Sequence, residues 1–168
     1  MFTRLLLAID DSPGSDVATT FATALARHHA GSVHVFHVNE YLVGGRGVTL
    51  RTRAEVTELL TGAVTQMHAV GVRATASSVT GTYREVAGRI AGTARDRMAD
   101  AIVLGSERHR RLGRLFSPHV RARTIRLTSL PVITAPSPLD VAGGALLTVD
   151  DLARQLANRP MVPTPSTP

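Results

Sequence analysis

The first 136 positions alternate between two kinds of apolar pattern. Leu5 to Ile9 and Ala101 to Leu104 are short, nearly unbroken apolar runs, as expected of strands buried on both faces. Ser32 to Val38 and Val132 to Ala135 read as further strands, the latter opened by Pro131, a position a strand tolerates. Val72 to Val79 alternates more weakly, which suits a sheet edge. The segments between carry apolar stripes at helical spacing. Val17, Phe21 and Leu25 run beside Ala18, Ala22 and Ala26 in a first helix that follows the turn cluster Asp10–Gly14 and stops at Gly31. Val56, Leu59, Leu60, Ala63 and Met67 form the inner face of a second helix, about Arg51 to Ala69. Val86, Ala87, Ile90, Ala91 and Ala94 do so for a third, about Tyr83 to Met98, in which Gly88 and Gly92 are weak points. Ser117 and Pro118 read as the N-cap and first position of a fourth, with Val120, Thr124 and Leu127 on one side.

Strands alternating with helices predict an α/β domain: a parallel sheet covered on both faces, with right-handed crossovers. Ligands of such sheets bind beyond the carboxyl ends of the strands, where the strand order reverses. The loop from Asn39 through Gly44, Gly45 and Gly47 has no periodicity and is expected to be mobile. The domain is expected over 1–136. The composition then shifts, and 137–168 is read as a flexible C-terminal extension with a Pro-rich end and a short amphipathic segment near 147–158.

The chain of 168 residues fits one domain with a core of its own. It has no Cys, which excludes disulfides, thiolate catalysis and Cys-based metal sites and fits a cytoplasmic protein. No apolar run is long enough to span a bilayer, and the N-terminal run is too short for a signal peptide, so no membrane role is expected. All 19 basic residues are Arg, against 13 acids, for a net charge of +6. Seven of them (Arg108, Arg110, Arg111, Arg114, Arg121, Arg123 and Arg126) crowd one stretch.

Three blocks carry a family resemblance: LLLAIDDS, SVHVFHV and ADAIVLGS…PVITAP. Over roughly Met1 to Pro136 the chain resembles the universal stress protein family. The resemblance implies a single-domain five-stranded parallel sheet of order 3-2-1-4-5, Rossmann-like and similar to adenine nucleotide alpha hydrolases. The switch point then lies between strands one and four, with the ends bearing Asp10 and Gly105 side by side. In nucleotide-binding members, Asp10 and Val38 match the positions that hold the adenosine part. The phosphate loop carries Gly, two residues, Gly, nine residues, then Gly and Ser or Thr. Here the matching positions are Gly105, Arg108, Pro118 and His119, with Ser106 after the first Gly. Arg108 adds a side chain where backbone access is needed, Pro118 removes an N–H donor, and His119 lacks the small hydroxyl. ATP in the family's usual pose is therefore not expected, and no cofactor is assigned. ATP or another adenine nucleotide stays open as a ligand, with Asp10 as anchor and Arg side chains of the 105–119 loop on the phosphates.

Each candidate has a plain structural role beside the functional one. Asp10 is either an adenosine anchor or a turn carboxylate, and Val38 is either a contact to the adenosine part or simply core. The arginines are a solvated basic face, a phosphate grip, or a polyanion surface, with nucleic acid disfavoured by the scarcity of aromatics. His28, His29, His34 and His37 suggest metal, yet strand positions 34 and 37 face opposite ways. No catalytic constellation stands out. The resemblance implies a non-catalytic stress-response regulatory or protective module, with slow nucleotide hydrolysis as a minor alternative. The resemblance also implies a homodimer paired through strand 132–134, acting with a protein partner.

Overall fold

In the computed structural model, the residues described are 2–41, 49–106 and 118–136. The expectations for 42–48, for Arg108 and its neighbours through Ser117, and for the extension at 137–168 lie outside them. The elements alternate as β1 (Arg4–Ala8), α1 (Pro13–His28), β2 (Ser32–Glu40), α2 (Arg53–Ala69), β3 (Arg73–Gly81), α3 (Val86–Asp96), β4 (Ala101–Leu104), α4 (Pro118–Leu127) and β5 (Val132–Thr134). The five strands are parallel and ordered β3-β2-β1-β4-β5. The order reverses between β1 and β4, as the resemblance implied.

The alternation of side chains along each strand sorts the core into two layers. Leu5, Leu7, Val33, Val35 and Val103 pack against Ala18, Phe21 and Ala22 of α1 and Val56, Leu60 and Met67 of α2. Leu6, Ala8, Phe36, Val38, Ile102 and Leu104 pack on the other face against Val86, Ala87, Ile90 and Ala94 of α3 and Val120 of α4. The inner face expected of α3 is buried throughout. On α4, Val120 and Thr124 are buried, but Leu127 is exposed because the helix ends there, beyond the reach of the sheet.

Boundaries moved where hydrogen bonds outweigh hydropathy. β2 runs two residues past Val38, because Asn39 and Glu40 keep register with Thr80 and Gly81. α3 starts at Val86 rather than Tyr83. The side chain of Glu85 turns back to accept from the Thr82 N–H at 2.8 Å and its hydroxyl at 2.9 Å, which holds the preceding residues in a turn. α2 opens on a capping box: the Glu55 N–H donates to Thr52 Oγ1 at 3.3 Å, and Glu55 Oε2 accepts from the Thr52 N–H at 2.7 Å.

Gly31 sits where the chain crosses the start of β1. A Cβ there would lie 2.9 Å from the Thr3 carbonyl oxygen and 3.0 Å from that of Phe2. Only glycine lets the turn into β2 approach that backbone so closely.

Candidate functional site

The carboxyl end of β1 runs into a tight polar turn. Asp10 Oδ1 accepts from the Ser12 N–H and from Ser15 Oγ, both at 2.9 Å, and the Asp10 N–H donates to Ser15 Oγ at 2.7 Å. Two short-range bonds thus fix one carboxylate oxygen of a buried acid, and a third holds its backbone N–H. Ser12 caps α1 by position only: its side chain makes no capping bond, and Pro13 follows at the helix start. Asp10 Oδ2 is buried and has no hydrogen-bond partner among the described residues. The turn reading of Asp10 is met at one oxygen only. One serves the turn and the other is unspent.

The neighbouring strand ends add to this polarity. Gly105 and Ser106 continue β4 beside β1, and Ser106 Oγ is likewise buried and unpartnered among the described residues. So is Ser12 Oγ. On β2, His37 Nδ1–H donates to the Ile9 carbonyl at 2.9 Å, since a carbonyl can only accept. Burial pushes the His37 imidazole below its usual value, against the opposing pull of that carbonyl and of Asp10. In the neutral ring Nε2 is then an acceptor, and it too is buried without a partner among the described residues. Orphaned buried polar atoms are uncommon in folded proteins. Here four of them (Asp10 Oδ2, Ser12 Oγ, His37 Nε2 and Ser106 Oγ) belong to residues just past the ends of β1 and β4 and to His37, which lies within β2 and is bonded to Ile9 at the end of β1.

The wall above β2 is also tied down. Arg51 pairs with Asp11, and the Arg51 carbonyl accepts from Asn39 Nδ2 at 2.9 Å and Thr49 Oγ1 at 2.7 Å. The Leu50 N–H donates to the Glu40 carbonyl at 2.7 Å. The segment leading into α2 is thereby bound to the turn that carries Asp10.

Of the residues singled out from sequence, Asp10, Gly105 and Ser106 fall at the ends of β1 and β4. Val38 is buried core beneath α3. Pro118 is the first residue of α4, and His119 is exposed on it. Arg108 lies outside the described residues, as do Arg110, Arg111 and Arg114. Arg121, Arg123 and Arg126 lie on α4, the last two exposed. Sequence reasoning missed Ser12, Ser15 and His37 as parts of this end, although the spacing of Asp10, Ser12 and Ser15 is itself a turn signal. Among the described residues no group of three or more His, Asp or Glu is arranged to hold a metal ion. Nor is any helix there long and apolar enough to cross a membrane.

The family model for the universal stress protein family matches residues 1–136. No curated protein gives a significant match. Among solved structures, a universal stress protein from Archaeoglobus fulgidus is 24% identical, with a TM-score of 0.62 over 81% of this chain and 100% of that one. The universal stress protein from Archaeoglobus fulgidus in complex with dAMP is 25% identical, with a TM-score of 0.61 over 80% of this chain and 98% of that one. A universal stress protein in complex with cAMP is 19% identical, with a TM-score of 0.59 over 80% and 96% of the two chains. With the family model covering all five strands and the sheet order agreeing, the chain belongs to the universal stress protein family.

Proposed function

We propose that this protein is a non-catalytic stress-response module that recognises the nucleoside part of an adenine nucleotide at the carboxyl ends of β1 and β4. The observation that carries the reading is Asp10 Oδ2. It is a buried carboxylate oxygen, held in place by the turn around its partner oxygen and lacking a donor among the described residues. A ribose hydroxyl is a donor of the right kind, and an unmet buried acceptor is costly enough to reward one. The dAMP complex of a 25% identical relative supports the same ligand class.

The phosphate end is weaker. Pro118 offers no N–H at the start of α4, and Arg108 replaces the glycine expected in the loop. Affinity is therefore expected to come from the nucleoside, with AMP and ATP bound alike. Calorimetric titration of adenosine, AMP and ATP into the full chain tests this. Comparable affinities, each weakened about tenfold or more by Asp10→Ala, are the expected result. Affinity that climbs steeply from adenosine to ATP would instead place the grip on the arginines of the 105–119 loop. Absence of binding by all three would overturn the nucleotide reading and leave a pure interaction module. We further propose that the protein works in the cytoplasm as a homodimer paired through the edge of β5, acting on a protein partner.

A further inference from the structure

The opposite end of the sheet carries a cavity of about 640 Å³, within the range of small-molecule sites. Its lining includes Arg4, Arg73 and Arg97 and no Asp or Glu. The three arginines come from different parts of the chain. Arg4 opens β1, Arg73 opens β3, and Arg97 follows the last residue of α3. Register brings the first two together: Arg4 and Arg73 are both level with Ser32 of the strand between them, so all three residues share one row and one face. Across two strand spacings the two arginine backbones stand about 10 Å apart, and both residues line the cavity.

The next row on that face is Leu6, His34 and Thr75. His34 is a buried, hydrogen-bonded floor. Its Nδ1 meets Thr75 Oγ1 at 2.8 Å and its Nε2 meets Ser77 Oγ at 2.7 Å. Burial, and then the charge of Arg97, lower its pKa to about 4, so the Arg97 guanidinium acts on this floor. No ion pair engages the three arginines among the described residues, where Arg51 pairs with Asp11 and Arg89 with Glu85. The acid nearest in sequence to β4, Asp100, makes no ion pair with them: its Oδ2 accepts from the Thr3 N–H at 2.7 Å, the Thr3 hydroxyl at 3.0 Å and the Arg4 backbone N–H at 3.1 Å, and its Oδ1 is buried without a partner among the described residues.

Unneutralised guanidinium groups gathered on a concave surface are suited to a polyanion, and the planar fork suits phosphate oxygens best. From this juxtaposition we propose that the amino end of the sheet is a second ligand site, for a small molecule bearing phosphate groups, gripped by Arg4, Arg73 and Arg97. The site is independent of the one at Asp10 and lies across the full height of the sheet from it.

The test is an NMR titration of the full chain with inorganic pyrophosphate. Amide shifts are expected at Ser32, His34, Arg73 and Thr75 and not at Gly105 and Ser106. Arg73→Ala and Arg97→Ala should each weaken binding about tenfold, the size of one lost charge-assisted contact, while Asp10→Ala leaves it unchanged. Arg97 also faces the negative end of α3. Were that its whole role, Arg97→Ala would lower the melting temperature and leave pyrophosphate binding intact, which would overturn the proposal. Shifts confined to the Gly105 end, or none at about 10 mM ligand, would overturn it equally.

Discussion

His34 is a titratable side chain kept neutral by its surroundings, and stability must follow it. Its folded pKa of about 4 lies below the ordinary 6.5. The unfolded chain therefore takes up a proton first as the pH falls. The contribution is fully present above 6.5, is lost progressively down to about 4, and is constant below. His37 is shifted in the same direction by burial. Urea unfolding at a series of pH values should show stability rising with pH across this window, with a shallower slope in His34→Gln. An unchanged slope in that variant would contradict the assignment. Asp10 illustrates what sequence reading could reach at this scale. Its identity, its place and its turn role were legible, but not that the turn takes only one of its oxygens. Hydrogen-bond direction decides that, and hydropathy carries no trace of it.

At the scale of elements, the glycines separate into kinds that look alike in sequence. Gly88 and Gly92 of α3 have nothing within 4 Å of a Cβ placed on them, so no packing requires them. Gly88→Ala and Gly92→Ala should each stabilise the protein by about 0.5–1 kcal/mol, measured by denaturant midpoint. Gly31→Ala should do the opposite, by about 1–3 kcal/mol, because the Cβ meets backbone oxygens that cannot swing aside. If Gly31→Ala proved neutral, the close approach to β1 would not be needed. Hydrophobic periodicity located every described helix and strand, because burial sets both the pattern and the element. It misplaced the carboxyl end of β2 and the start of α3, where the ladder to β3 and the Thr82–Glu85 turn decide instead. Thr52 and Glu55 have the spacing of a capping box and were readable as one. They precede the apolar stripe by which α2 was found.

For the whole molecule, the exposed edge is the feature with consequences for assembly. β5 is the last strand of the sheet, and its residues are only partly covered. The Ala135 N–H donates inward to Leu104, so the period of two turns the Thr134 N–H outward. Thr134→Pro removes that outward donor and spares the bond from Ala135. Light scattering should then read a dimer for the native chain and a monomer for the variant. A monomeric native chain would refute pairing through this edge. The sheet order came from family resemblance rather than periodicity, because apolar stripes say which face is buried and nothing about which strand is the neighbour. The cavity at the amino end was illegible for the same reason: Arg4, Arg73 and Arg97 are far apart in the chain, and strand register together with the placement of α3 unites them.

The bonds from Thr3 to Asp100 span 97 positions, and the same distant pairing joins β1 to β4 in the middle of the sheet. During synthesis β1, β2 and β3 emerge in order and can pair with one another at once. The other edge of β1, at Leu5 to Leu7, has no mate until Ala101 to Val103 leave the ribosome. A strand with three consecutive leucines thus waits half-paired until β4 is made. Until then the nascent chain presents an unpaired apolar edge of the kind that long-range pairing leaves open to aggregation.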